Sequence, residues 1–316
     1  MRAVAIDRFG GPEALRLQTL PVPEVGPGEV MIRVETAGVG QWDPFEREGG
    51  YAEMLGIEPG FPYVLGSEGA GVIAAVGKQV DRFTEGDRVY AAGFLNPKGG
   101  FYAEYVAVDA DLVSVVPDQL TSEQAGAMAG VAITALRGLD EALSLEPSES
   151  VAIVGASGGI GHVAVQLAKR MDARVLAVAS GDDGVTLANR LGADAAVDGH
   201  TGDVTAAIRA FAPEGIDAVL LRVGGAVAEQ VLAAVREGGR AAYPTGVQPE
   251  IDPRPGVAVH KYNGEPDGEI IERLNRLIGT APFEVHIPRT FALDQAADAH
   301  RHINEHYLGK LALRTS

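Results

Sequence analysis

Cysteine is absent from all 316 residues of the sequence. The chain therefore cannot form disulfides, thiolate-bound zinc sites or iron–sulfur clusters, and it has no cysteine nucleophile. One missing residue type thus excludes several classes of enzyme. The hydrophobic content of 46% is nevertheless ample for packed cores.

Basic residues are also scarce, because 26 Lys and Arg stand against 43 Asp and Glu and the formal net charge is -17. A field of that sign repels phosphate backbones and anionic lipid surfaces, and we find no basic run that could offset it locally. No apolar run approaches the ~20 residues that a bilayer span needs. Residues 1–6 lack the apolar stretch of a signal peptide. We therefore expect a cytoplasmic protein that binds neither nucleic acid nor membrane.

The first part of the chain has the pattern of a β-rich domain. Up to about residue 116, short apolar runs such as 30–34, 70–76 and 102–108 are separated by segments with Gly and Pro. Alternating apolar residues with turn-forming separators predict a partly closed sheet. Thr121 and Gln124 then fit a capping box that begins a helix.

From residue 150 onward, buried-type strands alternate with helices. The predicted strands are 151–154, 174–179, 195–197, 217–221 and 239–243, and the helices between them begin at Gly159, Asp182, Thr201 and Ala226. This alternation predicts a doubly wound parallel sheet covered on both faces, so the fold class is α/β. A final helix over 294–304 and a strand over 310–313 suggest a return to the first domain. The predicted limits are 1–120, 121–262 and 263–316.

A glycine-rich turn is the most specific local signal. The residues Gly155, Ala156, Ser157, Gly158, Gly159, Ile160 and Gly161 follow a strand and begin a helix. Glycines spaced by three allow the tight turn and bring backbone amides close to a pyrophosphate at the start of the helix. We therefore predict dinucleotide binding by Gly155, Ser157, Gly158, Gly159 and Ile160. Ser157 is expected to contact phosphate, because its surroundings are not those of a hydrolase nucleophile.

The end of the second predicted strand bears on the choice of cofactor. An acidic residue there would bind the ribose hydroxyls of NAD and repel a 2′-phosphate. The chain instead has Ser180 and Gly181, which favours NADP(H). NAD(H) stays the alternative, since Asp182 and Asp183 follow directly and Arg190 is the nearest cation along the helix.

With these residues assembled, the sequence resembles the quinone oxidoreductase branch of the medium-chain dehydrogenase/reductase superfamily. The resemblance runs over essentially the whole chain. It is carried by GGPE (10–13), PGEV (27–30), LGSEGAGV (65–72), GDRV (86–89), GFYAEY (100–105), the turn at Gly155, LGAD (191–194), GGR (238–240) and GK (309–310). The resemblance implies a GroES-like catalytic domain, a Rossmann domain, a cofactor cleft between them and a homodimer, for which a strand near 240–246 offers an exposed edge.

Zinc-dependent relatives place ligands where this chain has Gln41, Ser67 and a residue near Gly130. None of these can replace the missing ligands, so we expect no metal. His302 and His306 have a spacing that can chelate, and His300 lies nearby, but no carboxylate occupies the metalloprotease position between them.

The resemblance also assigns site residues. Gln41 and Thr134 match positions near the nicotinamide, and Gly246 and Lys310 match positions beside the cofactor. Tyr51 stands where relatives carry a tyrosine on the substrate side, and its phenol could donate to the oxygen that becomes negative; Gln41 is the second catalytic candidate.

Arg222 departs from the family pattern, which has Asp-Thr where this chain has Leu221 and Arg222. We interpret Arg222 as a contact to a cofactor phosphate or to an anionic substrate, with a solvated strand-end charge as the alternative.

The expected function is NADPH-dependent reduction of quinones or α,β-unsaturated carbonyl compounds by hydride transfer without zinc. A small quinone or enone would be the substrate. Two alternatives stay open. One is a pathway-specific enoyl or ketone reductase of secondary metabolism on the same scaffold. The other is a non-catalytic nucleotide-binding protein, in which departures such as Gln41, where relatives often have Asn, and Leu221 reflect lost chemistry.

Overall fold

Antiparallel strands dominate the first part of the chain and parallel strands the second, as the sequence predicted. The computed structural model describes residues 1–57 and 60–315. The chain divides into two units. Unit 1 comprises Met1–Gly130, Glu265–Glu272 and Val285–Ser316, and unit 2 comprises Val131–Gly264 and Arg273–Glu284. Compared with the predicted limits, the first boundary lies about ten residues later, and Arg273–Glu284 belongs to unit 2.

Unit 1 contains two sheets. Its strands are β1 (Arg2–Ile6), β2 (Arg16–Thr19), β3 (Glu29–Val39), β4 (Tyr63–Val64), β5 (Glu68–Val76), β6 (Arg88–Ala92), β7 (Tyr105–Asp109), β8 (Val113–Val115), β15 (Thr290–Ala292) and β16 (Leu311–Arg314). The larger sheet has the order β15-β16-β3-β5-β6-β8, with β7 also paired to β3, and the smaller sheet has the order β2-β1-β4. The last strand, β16, pairs antiparallel with β3 of the same unit.

Three short helices belong to unit 1: α1 (Asp43–Arg47), α2 (Gly50–Leu55) and α9 (Ala296–His302). Two longer helices, α3 (Ser122–Leu136) and α8 (Gly268–Ile278), each contribute residues to both units. The capping box that begins α3 is confirmed. The Gln124 backbone N–H donates to Thr121 Oγ1 at 3.1 Å, and the Thr121 N–H donates to Gln124 Oε1 at 3.0 Å.

Unit 2 is a doubly wound α/β unit. Its strands are β9 (Ser150–Val154), β10 (Arg174–Ala179), β11 (Ala195–Asp198), β12 (Ile216–Leu221), β13 (Val235–Pro244) and β14 (Ala258–Tyr262). Its helices are α4 (Gly159–Arg170), α5 (Gly181–Arg190), α6 (Val204–Phe211) and α7 (Ala226–Ala233). All paired strands are parallel, in the order β11-β10-β9-β12-β13-β14. The chain therefore reverses its direction of winding between β9 and β12, which is where such sheets bind ligands.

Two expectations about strands are wrong. The run 102–108 yields a strand only from Tyr105, because the backbone at Tyr102 and Ala103 pairs with β1 instead: the Val4 N–H donates to Tyr102 O at 2.7 Å and Ala103 forms an isolated bridge with Ala3. The strand near 240–246 is not an edge, since β13 lies between β12 and β14. The sequence did not reveal β14, whose residues are all exposed or half-buried and lack an apolar face. The homodimer itself stays a prediction.

Within the part of the chain that the structure describes, no helix combines the length and apolarity needed to cross a membrane.

Candidate functional site

The glycine turn of unit 2 has the geometry that the sequence predicted. Gly155 follows β9 with φ 82°, a left-handed conformation that glycine adopts without strain. A Cβ on Gly161 would lie 2.1 Å from Gly155 O, so only glycine allows this approach of the first turn of α4 to the loop. Gly158 caps the helix. The backbone N–H groups at the start of α4 can therefore donate hydrogen bonds to a pyrophosphate, and the turn fits a dinucleotide.

Ser157 and Ser180 are brought together at the carboxyl ends of β9 and β10. Ser157 is buried, and its Oγ accepts a hydrogen bond from the Ser180 backbone N–H at 3.1 Å. The Ser157 hydroxyl thus links the glycine turn to the start of α5. Gly181, with φ 75°, donates its backbone N–H to Asp198 Oδ1 at 2.9 Å.

Two residues of this region were missed from the sequence. Asp198, at the end of β11, accepts hydrogen bonds from the Thr201 hydroxyl and from backbone amides, and these bonds lower the pKa of Asp198 to about 2. The exposed His200 places its Nε2 atom 3.1 Å from Ser180 Oγ. A signal existed, because parallel strands that are neighbours in the sheet bring their carboxyl ends to one edge.

Arg222 follows β12 directly, and its backbone N–H donates to Val154 O at 3.0 Å. A Cβ on Gly155 would lie 3.0 Å from Arg222 Cβ, so the arginine stands next to the glycine turn. The Nε and Nη1 atoms of Arg222 are shielded from solvent and have no hydrogen-bond partner among the described residues. Burial lowers the pKa of Arg222. Arg222 as a whole is half-buried, so its guanidinium group is partly shielded from solvent and partly open to it.

Thr134 is buried in unit 2, and a Cβ on Gly264 would lie 2.0 Å from its Oγ1 atom. Tyr262, at the end of β14, donates its hydroxyl to Thr134 O at 3.1 Å. Gly246 is exposed, has φ 97°, and a Cβ there would meet no atom within 4 Å. Thr134 and Tyr262 are thus in contact, and Gly246 leaves open space beside the backbone.

Unit 1 contains a buried ion pair between Lys310 and Glu68. The Lys310 ammonium lies 2.6 Å from Glu68 Oε1 and 4.2 Å from the centre of the Trp42 ring. Glu68 Oε2 accepts the Gly130 backbone N–H at 2.6 Å, and Trp42 Nε1 donates to Ser67 Oγ at 2.6 Å. The sequence assigned Lys310 to the cofactor, whereas the structure gives its ammonium an internal carboxylate partner.

Gln41 and Tyr51, the predicted catalytic residues, occupy different surroundings within unit 1. The Gln41 side-chain amide donates to Ile303 O at 3.3 Å and to Tyr307 Oη at 3.4 Å. The half-buried Tyr51 ring packs edge-to-face on Phe45, with ring centres 4.8 Å apart. Burial, with smaller contributions from Glu46 and Asp43, raises the pKa of Tyr51 to about 12. Its phenol therefore keeps its proton at neutral pH and is a hydrogen-bond donor.

A buried chain of hydrogen bonds runs through unit 1. Tyr102 Oη lies 2.8 Å from Asp43 Oδ2 and 3.1 Å from His300 Nε2, and Arg47 Nη1 lies 2.8 Å from His300 Nδ1. Since arginine can only donate, Nδ1 accepts and Nε2 carries the proton. Burial, together with the charge of Arg47, lowers the pKa of His300 to about 3. His300 is therefore neutral and is held by Arg47 and Tyr102.

Two buried carboxyl groups, of Asp43 and Glu46, lie in the same part of unit 1 as these hydrogen bonds. Burial raises the pKa of Asp43 to about 6. Burial, and then the charge of Asp43, raises the pKa of Glu46 to about 7. Tyr63 donates its hydroxyl to Glu46 Oε1.

The three histidines near the C-terminus do not form a common site. His300 is engaged as described, while His302 Nδ1 lies 2.5 Å from Glu305 Oε2. Over residues 1–57 and 60–315, no group of three or more His, Asp or Glu side chains is arranged to hold a metal ion.

Comparison with family models finds two matches. Residues 26–118 match the alcohol dehydrogenase GroES-like domain, and residues 159–254 match the zinc-binding dehydrogenase domain. Quinone oxidoreductase of Lama guanicoe is 33% identical over 80% of this chain and 76% of its own length. Quinone oxidoreductase of Homo sapiens is 32% identical over 76% of this chain and 71% of its own length.

Solved structures share the fold over the full chain. An NAD-dependent alcohol dehydrogenase superposes with a TM-score of 0.88 at 28% identity, covering 100% of both chains. A mycobacterial protein in complex with NADPH superposes with a TM-score of 0.85 at 27% identity, again covering 100% of both chains. Both similarities extend over the β-rich part and the parallel-sheet part alike.

Proposed function

Since this chain belongs to the quinone oxidoreductase branch of the medium-chain dehydrogenase/reductase superfamily, we propose that it reduces quinones or α,β-unsaturated carbonyl compounds with NADPH and without zinc. The observation that carries the proposal is the glycine turn between β9 and α4, where a Cβ at position 161 would collide with Gly155 O. When bound, the dinucleotide supplies a hydride from C4 of its nicotinamide ring. The chain itself has to hold, orient and stabilise the reacting groups.

The turn residues Gly155, Ser157, Gly158, Gly159 and Ile160 would hold the pyrophosphate through backbone amides at the start of α4. The hydroxyl of Ser180, the backbone of Gly181 and the imidazole of His200 would face the adenosine ribose, because they stand at the end of the second strand. The Ser180 hydroxyl in place of a carboxylate supports NADP(H). Thr134 and Gly246 would border the half that carries the nicotinamide.

Reduction of an enone adds a hydride to the β-carbon and a proton to the resulting enolate, so charge builds on the carbonyl oxygen before protonation. Fixed hydrogen-bond donors lower the energy of that charge. Tyr51 would provide one such donor, since its phenol stays protonated. The Gln41 amide would provide the second by exchanging its contact with Tyr307 Oη, the longer of its two hydrogen bonds at 3.4 Å, for one to the substrate oxygen. Water can deliver the proton, so no stronger acid is required.

Independence from zinc is supported by the side chains around Glu68. To bind zinc as its zinc-dependent relatives do, this chain would need metal ligands at Gln41 and Ser67. The Ser67 hydroxyl already accepts a hydrogen bond from Trp42. The Lys310 ammonium lies 2.6 Å from Glu68, so a cation already neutralises that carboxylate. A divalent ion beside Lys310 would be repelled at close range.

The cofactor site can be tested with Gly158→Ala. Gly158 has φ -84°, and an added Cβ would lie 3.6 Å from its nearest neighbour, Gly155 O, so the variant should fold. The methyl group would nevertheless crowd a pyrophosphate at the start of α4. We expect the Kd for NADPH, measured by fluorescence titration, to rise at least about tenfold with an unchanged melting temperature. Gly28→Ala, whose Cβ would meet no atom within 4 Å, is the matched control.

Turnover assays of the unmodified protein complete this test. NADPH and NADH are each offered with a quinone, a short enone and an enoyl thioester. A lower KM for NADPH and turnover of the quinone or enone would support the proposal. Preference for the thioester would favour a pathway-specific enoyl reductase, and tight binding without turnover of any acceptor would favour a nucleotide-binding protein. No measurable affinity for either cofactor would refute the proposal.

A further inference from the structure

An unpaired arginine stands at the ligand-binding edge of unit 2. Arg222 directly follows β12, one strand away from the glycine turn, and β9 and β12 are the strands between which the winding reverses. Its Nε and Nη1 atoms are buried without a hydrogen-bond partner, and no carboxylate forms an ion pair with it among the described residues. Shielding these two nitrogens without a hydrogen-bond partner costs free energy in the fold, although the half-buried side chain still reaches solvent. The arrangement becomes favourable once an anion pairs with it.

Arg222 follows β12, so it lies beside the pyrophosphate site, which follows β9. The pyrophosphate would lie at the start of α4, which follows β9. Tyr262, at the carboxyl end of β14, is close enough for its phenol to influence the pKa of Arg222. In the sheet, β9 lies on one side of β12, and β13 and β14 lie on the other. The interaction of Arg222 with Tyr262 is therefore on the side of β12 that is away from β9. A dinucleotide whose phosphates lie at the start of α4 would place its nicotinamide half on this side.

We propose that Arg222 binds a carboxylate of the acceptor, so that the preferred substrates are anionic enones or quinones. The inference rests on the proposed function and specifies its substrate class. A carboxylate can accept two parallel hydrogen bonds from one guanidinium group, which fixes both the position and the orientation of the acceptor. Nε together with a terminal nitrogen offers such a pair of donors.

The test compares an anionic acceptor, 4-oxopent-2-enoate, with its neutral methyl ester at saturating NADPH. In Arg222→Gln we expect kcat/KM for the acid to fall roughly 10- to 100-fold, as the loss of a charge-assisted hydrogen bond predicts. The value for the ester and the Kd for NADPH should change less than about twofold. Arg222→Lys, which keeps the charge but not the paired donors, should lie between the wild type and Arg222→Gln.

Arg209→Gln is the matched control, because Arg209 is an exposed arginine on α6 of the same unit. It should leave all three quantities unchanged. A melting temperature of Arg222→Gln at or above that of the wild type would show that the variant folds. Equal losses for the acid and the ester, together with weaker NADPH binding, would assign Arg222 to a cofactor phosphate and overturn the proposal. Unchanged kinetics for the acid would overturn it as well.

A binding measurement separates failure of this proposal from failure of the proposed function. Calorimetry with 4-oxopentanoate and with its methyl ester, in the presence of NADP, needs no turnover. Tighter binding of the acid that disappears in Arg222→Gln would support the anion site even if the protein reduced neither acceptor. Equal affinity for the acid and the ester would refute the anion site even if the protein were an active reductase.

Discussion

The buried ionisable groups of unit 1 avoid an uncompensated charge in different ways. Lys310 and Glu68 neutralise each other at 2.6 Å, and Gly130 adds a hydrogen bond to the carboxylate. Glu46 has no cationic partner within residues 1–57 and 60–315, and burial makes its carboxyl group hold the proton more tightly. A carboxyl group that stays protonated when folded links the stability of the protein to pH.

The folded protein should therefore lose stability as the pH rises through the range set by Glu46. Its pKa is about 7 when folded against an ordinary value of 4.5, so the folded state binds the extra proton between these values. This contribution is present at low pH and is lost as the pH approaches 7. In Glu46→Gln the contribution disappears. We expect the change in unfolding free energy from pH 5 to pH 8, measured by urea denaturation, to differ by about 2–3 kcal/mol between wild type and variant.

Comparison with the variant removes the effects of other groups. The contribution of His300, whose pKa in the folded protein is about 3, has the opposite pH dependence, because it is lost as the pH falls below 6.5. Its effect is common to both proteins and cancels in the difference. Glu53→Gln, at an exposed site on α2, is the control and should behave as the wild type. An identical pH dependence in Glu46→Gln would show that Glu46 is ionised in the folded protein.

At the scale of elements, the turn between β9 and α4 was the part that the sequence predicted best. The reason is local: a continuous apolar strand, three glycines and an amphipathic helix occur within about twenty residues, and each restricts the others. The predicted start of α4 agrees with the structure, and so do the bounds of β10.

Gly161 should be the glycine of this turn that the fold tolerates least when it is replaced. In Gly161→Ala the new Cβ would lie 2.1 Å from Gly155 O and 2.7 Å from Ala156 Cα, so the backbone has to move. We expect a loss of about 1–3 kcal/mol of unfolding free energy, measured by urea denaturation. Gly158→Ala, with its nearest contact at 3.6 Å, should lose much less. Equal stability of the two variants would mean that the turn adjusts without strain.

Features that depend on neighbouring strands were harder to predict. Asp198 and His200 join Ser180 and Gly181 because β11 lies beside β10 in the sheet. The only signal is the rule that neighbouring parallel strands end at one edge, and it applies only once this pairing is known. The edge strand β14 was missed for a related reason, since exposed strands lack the apolar alternation that reveals buried ones.

At the scale of the whole molecule, the fold class and the order of the elements were predictable, whereas the polar interior of unit 1 was not. Lys310 meets Glu68, and His300 meets Arg47 and Tyr102, across separations of about 200 residues or more. Pattern and propensity describe only neighbours along the chain. The return of the last strand was inferred, but its register against β3, and hence the partners of Lys310, follow only from the structure.

The formal net charge of -17 bears on how an anionic cofactor reaches the chain. At an ionic strength of about 0.01 M the Debye length is about 30 Å, so the field of the whole chain opposes an approaching phosphate; at about 0.15 M it shrinks to about 8 Å. The amide dipoles of the glycine turn act at short range and are screened less. Association of NADPH should therefore accelerate roughly threefold or more over this range of added salt. Stopped-flow quenching of Trp42, the single tryptophan, can measure it. Slower association at higher salt would instead mean that local cations such as Arg222 outweigh the field of the whole molecule.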